Sequence, residues 1–428
     1  MSKFQLIILG IFIVFIISGV VAFATFRGGG SESELPPIAI WGTFPADVFE
    51  NHLRRINNSM PERINVSYVQ KAPDQFSRDF IAALARGQGP DAILIPSDAI
   101  LPHLDKIIAV PYEAYPQREY LDTYVQAADV YLGQDGLLAL PLTIDPLVMY
   151  WNRDIHDTAG IATYPRYWED FSILNQRITL KDQNGNIRRS SVALGEFVNI
   201  TNAREILGSL ILQTGNPITH YGQDGLESSL NDFSTADISS AVGFYSKAVN
   251  SADPNYSWNR SLPESKTAFL SGLLSTYFGF ASELQDIRVK NPNLNFDVAP
   301  LPQFRSGRAV SYGRLYGLSI VRTTPYPNSA FQIMSILSSP TFLKQLSDSL
   351  YTPSVRRDVI ANGSNDPYLT IFNQAALTSR TWIDADPAQS RALFRSMIES
   401  ITSGTKTTQE AIDDAGDQYD ILLRQAVQ

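Results

Sequence analysis

The chain of 428 residues contains no cysteine. That excludes disulfides, thiolate metal sites, a cysteine nucleophile and a lipidated N-terminal cysteine. Histidine is scarce: His52, His103, His156 and His220 lie scattered, without the spacing of a metal centre. There is no Gly-Lys dipeptide, hence no phosphate-binding P-loop. The G-x-S-x-G and H-E-x-x-H patterns of serine hydrolases and zinc peptidases are also missing. No block of lysines and arginines occurs, and the net charge is −9, which argues against nucleic acid as a partner. Asp182-x-Asn184-x-Asn186 starts like a calcium loop, but Ile187 and Ala193 stand where glycine and glutamate are needed. Asn184-Gly185 reads instead as a hairpin turn. Paired carboxylates such as Glu169-Asp170 and Asp413-Asp414 read as helix starts and solvated faces rather than as a glycosidase pair. The residues call for no cofactor and no metal.

What is present is globular: 44% hydrophobic and 18% charged, in a length that suits two medium lobes or one large domain. The only long apolar run is residues 6–26, about 21 residues and enough to cross a bilayer. Lys3 precedes it, and Glu32 and Glu34 follow, which orients the rest of the chain outside. Ala22-Phe23-Ala24 also resembles a small-x-small cleavage site, so a retained anchor and a cleaved leader both fit. Gly28-Gly29-Gly30-Ser31 is a flexible spacer.

Beyond the spacer the pattern alternates strand and helix. Residues 38–41 form a short apolar strand. Val48, Phe49, Leu53 and Ile56 follow at helical spacing, then an alternating strand over 64–69. Phe76, Phe80, Ala83 and Leu84 form a second helical stripe, and residues 91–95 a third strand. This β-α-β-α-β order predicts a mostly parallel sheet, whose ligands gather outside the carboxyl ends of the strands. Trp41, Thr43, Phe44, Ser97 and Asp98 stand at those ends.

The centre of the chain is residues 133–155, GQDGLLALPLTIDPLVMYWNRDI. Two apolar runs flank Thr143-Ile144-Asp145-Pro146. Proline lacks an N–H, so Pro141 and Pro146 predict two short strands joined by a kinked crossing between lobes. Asp145 sits at the crossing, with Tyr150 and Trp151 nearby. Residues 296–302 (FDVAPLP), another short strand closed by prolines, predict a second crossing. The aromatic strand over 274–280 contributes Tyr277, Phe278 and Phe280. Flat aromatic faces suit sugar rings and carboxylates suit hydroxyls. Ordinary core is the alternative for each aromatic; it is favoured for Tyr150 and Phe278, within apolar runs, and not for Trp41, at a turn.

Taken in order, several segments resemble the extracellular solute-binding proteins of ABC importers, family 1. GQGPDAILIPSD is similar to that family's G-x-x-P-D strand and exit. DGLLALPLTIDPLVMYWNRDI is similar to its D-G-x-x-x-x-P and L-x-Y-N-x-D segment. Residues 164–174 resemble its P-x-T-W-(D/E)-(D/E) helix start, residues 269–280 with VAPLP its F-x-x-G and P-L-P run, and Tyr351-Thr352-Pro353 with Arg356 its x-x-P-x-R turn. The resemblance implies a two-lobed α/β fold of the periplasmic-binding-protein type II. The N-lobe would hold residues 37–143 and 303–350, and the C-lobe 144–302 and 351–428. Residues 1–27 would be the transmembrane anchor and 28–36 the linker. It implies a receptor, not an enzyme, that closes on a small solute, most often a carbohydrate, and delivers it to ABC permease subunits outside the cytoplasm. A sensor of the same fold and a cell-surface glycan hydrolase are the alternatives. Asp98 takes the place of an acid that holds sugar hydroxyls, Asp145 that of the acid past the first hinge, and Phe280 that of a stacking tryptophan. The implied ligand site is Trp41, Thr43, Phe44, Ser97, Asp98, Asp145, Trp151, Tyr277 and Phe280. The chain departs from the pattern with Trp151 in place of a second tyrosine, Leu273-Leu274 in place of Ala-Met, phenylalanine at 280, and no lipidated cysteine.

Overall fold

The computed structural model describes residues 36–59, 65–222, 225–231 and 238–427. The apolar run at 6–26, read as anchor or leader, and the linker up to residue 35 lie outside the described residues. Among those described, no helix is long and apolar enough to cross a membrane.

The N-terminal β-α-β-α-β order is observed. β1 (Ile38–Gly42), α1 (Ala46–Ser59), β2 (Val66–Gln70), α2 (Phe76–Ala85) and β3 (Ala92–Pro96) follow in turn. β1 lies between β2 and β3, parallel to both. Apolar residues alternate along β1, so Ile38 and Ile40 are buried, while β3 is buried almost throughout, as a central parallel strand requires.

Further along come β4 (Leu140–Asn152), β5 (Ile187–Val192), α3 (Ala203–Gln213), β6 (Leu274–Phe280), β7 (Phe296–Pro300) and β8 (Ser311–Val321). The sheet runs β2-β1-β3-β8-β4-β6-β5, with β7 also paired to β4. Two hydrophobic cores lie along it. The smaller contains Ile40, Phe49, Leu94, Leu142, Ile144, Leu315 and Leu318. The larger contains Leu147, Tyr150, Leu207, Phe278, Ala299, Leu301 and Tyr312.

Two expectations are corrected here. Residues 140–152 form one continuous strand of 13 residues, all buried, not two strands broken at the prolines. β4 tolerates Pro141 because its pairing with β8 slips there, between Tyr316 and Gly317. It tolerates Pro146 because β4 changes partners at that point: β8 pairs as far as Pro146, and β6 takes over from Leu147. The second passage between cores is not at residues 299–302 but in β8, between Tyr312 of the larger core and Leu315 of the smaller. The prolines of residues 296–302 end β7 inside the larger core, where Ala299 and Leu301 are buried.

The chain ends in α4 (Pro327–Leu337), α5 (Pro340–Leu350), α6 (Pro367–Thr378), β9 (Ser379–Arg380), α7 (Pro387–Thr402) and α8 (Thr408–Val427). Local capping fixes two of these starts. Asp386 accepts from the N–H groups of Ala388 and Gln389 at 3.0 and 2.8 Å. Thr407 and Glu410 exchange backbone-to-side-chain bonds as a capping box. The Asn184-Gly185 turn is also observed, with Gly185 at φ +82°.

Candidate functional site

The site follows from where the two strand passages lie; the chain returns to the larger core once more between Ile360 and Leu369. Asp145 is between Ile144 of the smaller core and Leu147 of the larger; Arg314 is between Tyr312 and Leu315. The two residues are rung partners in the antiparallel β4–β8 ladder, so their side chains leave the same face of the sheet. There Asp98, past the exit of β3, meets Arg204 at the N-terminus of α3, and Phe44, past the exit of β1, meets Tyr316 of β8.

Asp145 is buried, and Ser282 closes on it: the Ser282 N–H donates to Oδ1 at 3.0 Å and its hydroxyl to Oδ2 at 2.6 Å. Burial pushes the Asp145 carboxyl up to about 6, against the opposing pull of the Ser282 hydrogen bonds and Arg314. The Arg314 guanidinium lies over the Phe280 ring, 4.5 Å from its centroid, with a quarter of the side chain exposed. It stands 3.6 Å from Glu205 and 4.0 Å from Asp98.

Beneath Arg314 is a buried network centred on Arg204. This arginine donates to Asp98 Oδ2 at 2.9 Å, to Glu205 Oε1 at 3.1 Å, to Asp384 Oδ2 at 2.5 Å and to the Ser390 hydroxyl at 2.8 Å. Tyr419 donates to the other oxygen of Asp384 at 2.9 Å. Burial disfavours the Arg204 charge, but Glu205, Asp384 and Asp98 outweigh it and hold its pKa well above the ordinary arginine value. Burial likewise opposes the Glu205 charge, and Arg204, Arg314 and Arg391 prevail, lowering its pKa. The carboxylates gather at the N-terminus of α3, the end where the helix dipole favours negative charge.

The structure brings together most of the residues singled out in the sequence. Phe44 packs on Tyr316 of β8 at 4.7 Å. Trp41 and Thr43 stand half-buried beside it, with the Lys71 ammonium 3.9 Å from the Trp41 ring. The Ser97 hydroxyl lies 3.4 Å from that of Thr381, just past β9. Asp98, Asp145 and Phe280 are in the network already described. Trp151 and Tyr277 are elsewhere. Trp151 is six residues beyond Asp145, about 20 Å along an extended strand, against His156 at 4.9 Å. Tyr277 is buried under the larger core, its hydroxyl donating to Glu283 at 2.7 Å. Sequence reasoning missed Arg204, Arg314, Glu205, Ser282 and Asp384. A signal existed for the first: Arg204-Glu205 is a charged pair opening a helix whose other residues are mostly apolar, and all of α3 is buried.

Alongside the network a cavity of about 290 Å³ opens between the two cores. Gln126 and Asp129 line it on the side of the smaller core; Thr219, His220, Arg380 and Trp382 on the other. Trp382 is shared, with Tyr312 at 4.9 Å and the Arg204 guanidinium at 5.5 Å from its ring. Among the described residues, no group of three or more His, Cys, Asp or Glu side chains is arranged to hold a metal ion.

Comparison with known proteins places this geometry. No curated protein sequence matches the chain. Among solved structures, a cyclo/maltodextrin-binding protein complexed with maltotetraose is similar at 15% identity and a TM-score of 0.72, over 92% of this chain and 99% of that one. A cyclic alpha-maltosyl-1,6-maltose binding protein from Arthrobacter globiformis is similar at 16% identity and a TM-score of 0.74, over 91% and 99%. An ABC transporter solute-binding protein from Thermotoga lettingae TMO, bound with alpha-D-tagatose, is similar at 16% identity and a TM-score of 0.65, over 90% and 99%. These likenesses establish the two-lobed α/β fold. Residues 61–341, more than half of the chain, match the family model for bacterial extracellular solute-binding proteins, and the chain belongs to that family.

Proposed function

We propose that the chain is the substrate-binding receptor of an ABC importer and captures a carbohydrate between its lobes. The observation that carries this reading is the pairing of Asp145 with Arg314 where the two crossing strands pass between cores. A hinge needs few covalent crossings, and a ligand that touches both crossing residues and both lobes favours the closed form by its differential affinity. Trp41, Thr43, Phe44, Ser97, Asp98, Asp145 and Phe280, with Arg314 and Ser282 added, form the proposed site; Trp151 and Tyr277 are left out. The lobes would be residues 37–143 with about 314–361, and 144–313 with about 367–428, because Val355 and Ile360 pack in the smaller core and Val310 and Tyr312 in the larger. The sugars named for the similar structures, maltotetraose and alpha-D-tagatose, support the ligand class. The reading is one of binding without chemistry, which the family supports.

The apolar run at 6–26 supports a tether that holds the receptor outside the cell membrane, where the permease is. Membrane retention of the full chain after a carbonate wash, and its loss from a chain starting at residue 28, would support the tether; a soluble full chain would remove it. The ligand is tested by a thermal-shift screen against maltotetraose, tagatose, other neutral oligosaccharides and polyols, since a ligand that binds only the folded state raises its apparent stability. No shift with any saccharide, and a shift with a polyamine or an anion, would overturn the carbohydrate reading.

A further inference from the structure

Asp98 and Arg204 stand on elements of different cores. Asp98 follows β3, whose residues Ala92, Ile93, Leu94 and Ile95 are in the smaller core; Arg204 is on α3, whose Ala203, Ile206 and Leu207 are in the larger. Their side chains, 5% and 1% exposed, meet at 2.9 Å. Hinge opening would separate them. Arg204 is held from within its own lobe by Asp384, Glu205 and Ser390. Its guanidinium is therefore oriented before the lobes meet, and much of its desolvation cost falls on folding rather than on closure. Asp98 enters, beside Arg314 at 4.0 Å, a socket already built for a carboxylate. This is the arrangement in which a buried ion pair yields net attraction: good geometry, remaining donors satisfied, and little left to reorganise. Ser97 with Thr381, and Gln126 with Arg380, meet across the same seam.

We propose that Arg204 is a positioning residue for lobe closure: it captures Asp98 across the seam, so that closure has a component the protein supplies itself and the ligand supplies only the remainder. The proposal rests on the two-lobed reading of the fold and not on the identity of the ligand. Asp98 would then act on ligand affinity through the closed state rather than by holding a hydroxyl.

The test is made without ligand. Because the chain lacks cysteine, Glu50→Cys on α1 and Gln176→Cys in the larger lobe give a unique pair of spin-label sites, both exposed. Double electron–electron resonance on the full chain should show a measurable short interlobe distance beside the long one. Asp98→Asn leaves Arg204 paired with Asp384 and Glu205, so the thermal midpoint should stay near that of the parent. The ratio of short to long distances should fall about tenfold, the scale of one lost hydrogen bond to a charged group. Asp98→Ser, smaller and neutral, should open the lobes equally and serves if the amide is not accommodated. Arg204→Lys, which keeps the charge but not the fork, should open them partly. A folded Asp98→Asn or Asp98→Ser protein with the parent's distance distribution overturns the proposal, and so does a parent with no short-distance population. A carbohydrate screen that fails while these distances shift removes the ligand class and leaves the closure contact standing.

Discussion

Asp145 and Arg314 face each other across one rung of the ladder at the point where both crossing strands change cores. The acid is the more deeply buried of the two and is satisfied by Ser282 rather than by a close ion pair. Its pKa of about 6, raised mainly by burial, means that the folded protein holds a proton that the unfolded chain releases near 3.8. Stability should therefore fall as pH rises from about 4 to about 6. Asp145→Asn should remove that slope and gain about 1–3 kcal/mol over the parent at pH 7 to 8. Urea unfolding at a series of pH values checks this. Equal slopes for parent and variant would mean that the carboxyl is ionised at no cost.

Two histidines act with the opposite sign. Burial pushes His103 and His156 down to about 4, so each is neutral in the folded protein. His103 packs edge-on to Phe80 at 5.3 Å and His156 against Trp151 at 4.9 Å. The stability that comes from keeping them neutral is complete above about pH 6.5 and is lost as pH falls toward 4. His103→Gln should lower stability at neutral pH and flatten its loss between pH 6.5 and 4. A variant that loses stability over that window as steeply as the parent would release His103 from this role.

The parallel start of the sheet was legible because each strand ended in a turn signal and each helix kept one apolar stripe. The passage at Asp145 was legible because a polar residue interrupts an apolar run. The continuity of β4 was not, since what rescues its prolines is a change of partner strands brought in from residues 274–280 and 311–321. Trp151 and Tyr277 misled for a related reason. Every residue of β4 and β6 is buried, so period-two alternation gives no clue to which aromatics face the seam. Arg204 and Asp98 are 106 residues apart, and only the packing of one lobe on the other joins them.

The crossing strand β8 is also tight. A Cβ on Gly313 would stand 2.8 Å from Ile144 Cδ1 and from Ser379 Cβ and Oγ. Ile144 Cδ1 and Ser379 Oγ are side-chain ends that can turn aside, but Ser379 Cβ moves only with the β9 backbone. Gly313→Ala should destabilise the protein by about 1–3 kcal/mol, the usual cost of overpacking. A unchanged urea midpoint would show that the β8–β4–β9 junction yields more readily than its contacts indicate.

Resemblance to sugar-binding relatives gives Phe280 the part of a stacking platform, but Arg314 already covers that ring at 4.5 Å. A ligand entering the seam meets guanidinium donors first and the ring second. A planar fork on an aromatic face suits a pair of neighbouring hydroxyls, and its charge strengthens each bond. The site should therefore depend more on Arg314 than on Phe280. With the saccharide that gives the largest thermal shift as titrant, Arg314→Met keeps a stem over the ring and removes the donors. It should weaken binding by about tenfold or more, on the scale of charge-assisted hydrogen bonds. Phe280→Leu should cost less, because apolar area under the guanidinium is retained. Asp145→Ala should also weaken binding, because it removes an acceptor on the same rung. Calorimetry on the three variants separates the roles: a larger loss for Phe280→Leu than for Arg314→Met would return the ring to the ligand and make Arg314 a structural cover.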